Sequence, residues 1–253
     1  MLTVRVTDDL AKLTETVGNI GLRHIPRSTV IALTRTAVKA KQELTTELTR
    51  AFDRPTPFTM NALFVRPATM QSPVAEVFIK DAATKGTPAI KYLAPSIYAG
   101  QRRQKRFERA LTASGLLPAG MSAVPGQAAP LDQYGNVSGP YITKMLSQLR
   151  AMGQQGYTAN ETDKGKARRL KRDRRTGDWL VVREKRGKLH PGIYRRYHFG
   201  HGNTLKPIFI FTSKTPQYRK RYDFFEVTNT VIERHFSEQF VKAFGEAIER
   251  FGA

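Results

Sequence analysis

The stretch from residue 222 to residue 251 constrains the fold more than any other. Phe225, Thr228, Ile232, Phe236, Phe240, Phe244 and Ile248 recur at three- or four-residue steps, seconded by Val231, Ala243 and Ala247. Apolar side chains at that spacing share one face of an α-helix, and a dry face that long needs a partner surface of similar length. A second such run lies near the other end of the chain. Over residues 26–52, Val30, Leu33, Thr34, Ala37, Val38, Lys41, Leu44, Leu48 and then Ala51 or Phe52 repeat in the same way, with Arg35, Lys39, Gln42, Glu43, Glu47 and Arg50 between them. Pro26 suits the start of this helix, and Pro55 and Pro57 stop it.

Between the two helices the pattern changes. Residues 58–66 (FTMNALFVR) and 74–80 (VAEVFIK) read as strands joined by a link carrying Pro67, Ser72 and Pro73, which predicts a hairpin with a long loop. Residues 87–100 are mixed. Residues 101–112 (QRRQKRFERALT) predict a short basic helix with Phe107, Ala110 and Leu111 inward, ended by Gly115. A Gly/Pro-rich extended loop is expected over 113–140. The uncharged run 110–131 overlaps it, but Gly115, Pro118, Gly120, Pro125, Gly126 and Pro130 exclude a membrane-spanning helix there. Residues 141–152 predict a second short helix with Ile142, Met145, Leu146 and Leu149 on one side. Three more strands, 179–183, 192–199 and 207–212, predict an antiparallel meander. The expectation is one α+β domain over residues 1–253. Its antiparallel sheet of about five strands packs against the N- and C-terminal helices, which cover one sheet face, with extended loops elsewhere.

The charge is lopsided. Lys and Arg number 42 against 21 Asp and Glu, a net +21, and residues 163–196 alone hold 14 basic and 4 acidic positions. Its centre is a basic arm over 158–177 with Lys164, Lys166, Arg168, Arg169, Lys171, Arg172, Arg174 and Arg175. Such a run suits phosphates, whose counterions it would release, or an acidic protein surface, or simply water. With only Ala167 and Leu170 as apolar anchors, it is expected to be mobile in the free chain. No aromatics interleave within the run, so base stacking is not indicated there.

Signs of catalysis are few. Cysteine is absent, which excludes disulfides, thiol nucleophiles and cysteine-bound zinc or iron–sulfur clusters. No phosphate-binding loop, dinucleotide fingerprint or nucleophile elbow appears. His198 and His201, with His190 upstream, have a spacing that could converge on a metal, but no carboxylate follows within ten residues of His201, and GHGN reads as a hairpin tip. Asp178 with Glu184 and Lys185 loosely matches the acid–acid–lysine set of Mg²⁺ nucleases, yet Glu184 is flanked by Arg183, Lys185 and Arg186. The expectation is therefore no enzyme, no cofactor and no metal. The N-terminus carries no secretory pattern, so synthesis in a cytoplasm is expected.

Three blocks carry a resemblance. IPRSTVIALTRTAVKAKQEL (25–44) resembles the Ile-Pro … Ala-Leu-Asn/Thr-Arg-Thr-Ala start of bacteriophage minor tail proteins of the Z type, which are associated with tail completion and head–tail joining. KDAATKGTPAIKYLAPSIYAGQRRQKRFERAL (80–111) and LPAGMSAVPGQAAPLDQYGNVSGPYITKMLSQL (117–149) point the same way, so the similarity covers most of 20–152. The resemblance implies a structural subunit of a virion, located in tail or neck and assembled in the host bacterial cytoplasm, forming part of a head–tail connector ring. Its implied partners are copies of itself, neighbouring portal, adaptor or tail proteins, and packaged DNA through the basic arm, with no membrane. It supplies no catalytic residues. The charge keeps a second class open, a basic phage DNA-binding or nuclease-like DNA-processing protein.

Overall fold

The computed structural model describes residues 2–6, 18–83, 86–153, 160–199, 202–214 and 217–249. In chain order the elements are β1 (Leu2–Val6), α1 (Gly18–Ala51), α2 (Pro57–Met60), β2 (Leu63–Arg66), β3 (Ala75–Ile79), α3 (Ala89–Tyr98), β4 (Gly100–Gln101), α4 (Arg106–Ala113), β5 (Ser122–Pro125), α5 (Gly139–Gln148), α6 (Asp163–Arg172), β6 (Thr176–Val182), β7 (Gly192–Phe199), β8 (Gly202–Thr212), β9 (Gln217–Tyr218) and α7 (Phe224–Glu249). The chain is α+β with antiparallel sheets and a long helix near each end. Where one domain with one five-stranded sheet was expected, the chain divides into two compact units, Met1–Gly100 with Tyr218–Ala253, and Gln101–Gln217. The physical reason is that the apolar side chains gather in two clusters, each around its own helices, so the five expected strands fall two and three into different sheets. β4 and β9 pair as a two-residue ribbon.

In the first unit, β1 and β2 flank β3 in a three-stranded antiparallel sheet, with Leu63 opposite Ile79 and Val65 opposite Val77. The predicted hairpin is therefore present, but residues 57–60 turn into α2. Pro57 stands at its first position and Thr56 caps it, its hydroxyl accepting from the Thr59 N–H at 3.3 Å. Helix α1 lies on β2 and β3, and α7 packs chiefly along α1 rather than on the sheet, with Arg35 bidentate to Glu246 at 3.1 and 2.8 Å. Pro26 lies inside α1, which begins at Gly18. The buried stripe also sits off the predicted one: Ala32, Thr36 and Ala40 are buried and Val38 is exposed. Leu33, Leu44 and Leu48 meet Val77, Ile79, Leu93 and Phe224 in the core. Tyr222 is fully buried between Phe52 and Phe224, and its hydroxyl donates to the Leu44 carbonyl at 3.2 Å. Burial raises its pKa above the ordinary tyrosine value.

In the second unit the order is β5-β8-β7-β6, the predicted meander with β5 added at its edge. The Gly/Pro-rich stretch 113–140 is thus only partly a loop. Ala123 pairs with Phe211, the Gly126 N–H donates to the Ile208 carbonyl at 2.9 Å, and Leu117 and Ala123 are buried. An uncharged run is cheap to desolvate, but its backbone needs partners, and the open edge of β8 supplies them. At the head of α4, Glu108 is fully buried and holds Arg102 at 2.6 and 2.9 Å, the Lys105 N–H at 2.6 Å and the Ala123 N–H at 2.8 Å. That capping starts the helix at Arg106, later than its basic character suggests. Phe107, Leu111, Met145 and Leu146 close the core over Ile193, Phe209 and Phe211. Among the described residues no helix is long and apolar enough to cross a membrane.

Candidate polyanion-binding face

The expected mobile arm is instead largely helix. Thr162 caps α6, its hydroxyl accepting from the Gly165 N–H at 3.1 Å; Asp163 stands in the first turn and Arg169, Lys171 and Arg172 in the last, signs that suit the helix dipole. Arg169 anchors it. Its Nε and Nη2 donate to the Glu161 carboxylate at 2.8 and 2.9 Å, and Nη2 reaches Asp178 Oδ1 at 3.3 Å, while Lys166 pairs with the other Asp178 oxygen. Arg150 pairs with Asp163 and lines an open cleft of about 570 Å³ with Arg106 and Arg109. Like charges repel in the bare run, but two carboxylates, at 161 and 178, neutralise the inward cations. Residues 158 and 159 lie outside the described residues.

The eight cations therefore sort into two sets. Lys166 and Arg169 are turned inward, and the Arg169 side chain is only 10% exposed. Lys164, Arg168, Lys171, Arg172, Arg174 and Arg175 are exposed and, among the described residues, make no ion pair. In the helical part, positions 164, 168, 171 and 172 follow the three- and four-residue spacing that puts side chains on one face. The unit that carries them holds 23 basic and 7 acidic residues, so +16 of the net +21 lies in 117 positions. A field that concentrated attracts polyanions.

Pairing of β6 with β7 sets aromatic rings beside this charge. The Arg175 carbonyl accepts from the His198 N–H at 2.8 Å, Thr176 stands opposite Tyr197, Trp179 opposite Arg195, and Arg195 opposite Lys206. Directly opposed residues project to one side, so Trp179, Arg195, Tyr197 and Lys206 share a sheet face, and Phe199 follows Tyr197 at the next position on it. Arg195 stacks 4.4 Å from the centre of the Trp179 ring, and its Nη1 donates to Gln148 Oε1 at 3.1 Å; that oxygen also accepts from Trp179 Nε1 at 2.7 Å. Burial, and then the neighbouring Arg169, lower the Arg195 guanidinium from its ordinary value. Lys206 Nζ lies 5.2 Å from the Tyr197 ring centre. On the opposite face Arg196 and His198 reach across Gly177, where a Cβ would stand 2.6 Å from His198 Nε2 and 3.1 Å from Arg196 Cβ. A side chain at 177 would push Arg196 and His198 off the strand.

The candidate catalytic sets fare differently. Asp178 is engaged by Lys166 and Arg169. Burial works to raise its pKa, and those two cations with the Trp179 N–H outweigh it and hold it low, a state suited to an ion pair. Glu184 is exposed beyond the end of β6. His198 Nδ1 is hydrogen-bonded to Asn203 Oδ1, and His201 lies outside the described residues. Among the described residues, no three His, Asp or Glu side chains stand where they would hold a metal ion.

Trp179, Arg195, Tyr197, Phe199 and Lys206 were not singled out by the sequence. Their signal is the alternation in GIYRRYHF, which puts Arg195, Tyr197 and Phe199 on one side of β7 and Arg196 and His198 on the other. No family model, curated protein or solved structure matches the chain.

Proposed function

We propose that this chain is a structural subunit of a bacteriophage virion, a minor tail or tail-completion protein within the head–tail connector, which joins copies of itself and neighbouring portal, adaptor or tail proteins. The sequence blocks at 25–44, 80–111 and 117–149 suggest the class. The observation that carries the reading is apolar surface left open on α7: Val241 is 70% and Ile248 45% exposed, beside the stacked rings of Phe236, Phe240 and Phe244. Apolar surface of that kind on a long rigid helix is what an assembly contact uses. The role is structural rather than catalytic. A phage in which this chain is disrupted should accumulate separate heads and tails in electron micrographs. Normal joined particles would overturn the reading. The +16 charge of the second unit favours the second reading, a basic DNA-binding or DNA-processing protein.

A further inference from the structure

We infer that the paired strands β7 and β8, with the basic run 168–175 that leads into β6, form a binding site for single-stranded nucleic acid. The inference stands apart from the assembly reading, since it concerns only the second unit.

Two requirements define such a site: cations that track a phosphate backbone, and rings with open faces on which bases stack. The first is met by Arg168, Arg172, Arg174 and Arg175, which are exposed and make no ion pair among the described residues. The sheet ladder brings the end of this run alongside the strand that carries the rings, and Lys206, exposed, stands on the ring face itself. Because the Arg175 carbonyl accepts from the His198 N–H, the Arg175 backbone lies one strand spacing, about 4.8 Å, from the strand that bears Tyr197 and Phe199, its side chain on the His198 face of edge strand β6 and the rings on the other. The second requirement is met by Phe199, 57% exposed, and by Tyr197, half-buried under Lys206.

Spacing selects single strands over duplex. Tyr197 and Phe199 are two positions apart on one strand, so their rings repeat at about 6.7 Å. That is close to twice the 3.4 Å rise of a stacked strand, a separation that accepts splayed bases and cannot follow stacked ones. A duplex also turns no base faces outward, which would leave Phe199 without a partner. An acidic peptide has no use for the rings, whereas bases cover them while their phosphates meet the arginines.

The test is fluorescence anisotropy of the full chain with a labelled 20-mer of deoxythymidine between 50 and 200 mM salt. The same oligonucleotide as a duplex and poly-glutamate serve as competitors. The expected result is binding whose log affinity falls against log salt with a slope of about −3 to −4, as for four to six phosphates. Phe199→Ala, at a position too exposed to endanger the fold, should weaken binding between about 5- and 150-fold, the range for one lost base stack. Arg174→Gln with Arg175→Gln should instead flatten the slope by about 1 to 1.5. Absence of binding at 50 mM salt overturns the proposal. So does an affinity that Phe199→Ala leaves unchanged, or equal competition by duplex, either of which would mean a plain polycation. Poly-glutamate competing as well as the oligonucleotide would reassign the face to an acidic protein. None of these outcomes bears on whether the chain assembles into a connector.

Discussion

Replacing Arg169 by Ala should destabilise the second unit, while removing the exposed arginines around it should not. Arg169 is the inward anchor of α6, with a side chain 10% exposed that meets Glu161, 14% exposed, and Asp178, 32% exposed. Breaking a buried ion pair by deleting one partner costs about 3–5 kcal/mol. Two features reduce that figure. Asp178 keeps Lys166, and Arg169 Nη1 is itself buried without an acceptor among the described residues, so its removal relieves about 1 kcal/mol of desolvation. The expected loss is about 2–3 kcal/mol. At a slope near 2 kcal/mol per M, this lowers the urea midpoint by roughly 1–1.5 M. Trp179, the single tryptophan, follows Asp178 directly, so its fluorescence reports the unfolding of this unit. The control is Arg168→Gln, Arg172→Gln and Arg175→Gln together, which trims three unpaired surface cations at similar helix propensity and should shift stability by no more than about 0.5 kcal/mol. Trypsin should cut α6 readily in the Arg169→Ala chain and slowly in the triple variant. A loss below about 1 kcal/mol for Arg169→Ala, or a triple variant that loses as much, would refute the division into anchor and free face.

Glu108→Ala removes a fully buried carboxylate holding Arg102 and two backbone N–H groups, and should cost about 3–5 kcal/mol in urea unfolding. Burial works to raise the Glu108 pKa, and its hydrogen bonds from Arg102, Lys105 and Ala123 outweigh that and hold it low, so its contribution is complete above the ordinary glutamate value of about 4.3 and fades as pH falls through the folded value. In the variant, that share of the acid slope should vanish. Gly192→Ala places a Cβ 2.4 Å from the Phe209 carbonyl oxygen and 3.2 Å from Ile210 Cα, both backbone that cannot yield cheaply, and should cost about 1–3 kcal/mol. Phe240→Ala, at a half-buried ring stacked 6.4 and 5.9 Å from Phe236 and Phe244, should cost about 1–2 kcal/mol; a loss of 3–5 kcal/mol would place that ring in a closed core instead.

Much of this architecture is legible in local pattern. Both long helices, the hairpin of β2 and β3, the meander of β6 to β8 and α5 follow from periodicity, because each buries a face whose spacing its own residues set. The division into two units does not follow, because it depends on which helix each strand packs against. Nothing in 58–66 and 179–183 distinguishes a strand destined for α1 from one destined for α4 and α5. β5 escaped because Gly and Pro dominate its surroundings and its pairing partner, β8, lies about 85 residues on. The helix within the basic arm is hidden for a related reason. Read alone, 164–175 repels itself, yet Glu161 and Asp178 stand just outside the run and fold around Arg169. The aromatic half of the candidate site is hidden for the same cause: Tyr197 and Phe199 are 22 to 31 residues from these arginines in sequence, and their strand is the neighbour of β6 in the sheet.

The assembly reading is tested most directly by the solution mass of the purified chain, measured by light scattering from about 1 to 100 μM in 0.15 and 0.5 M salt. A subunit that meets its copies through the Phe240 and Val241 side of α7 should run at multiples of 28.5 kDa that grow with concentration and survive the higher salt, because apolar contacts are not screened. A mass of 28.5 kDa at every concentration and both salts would contradict it.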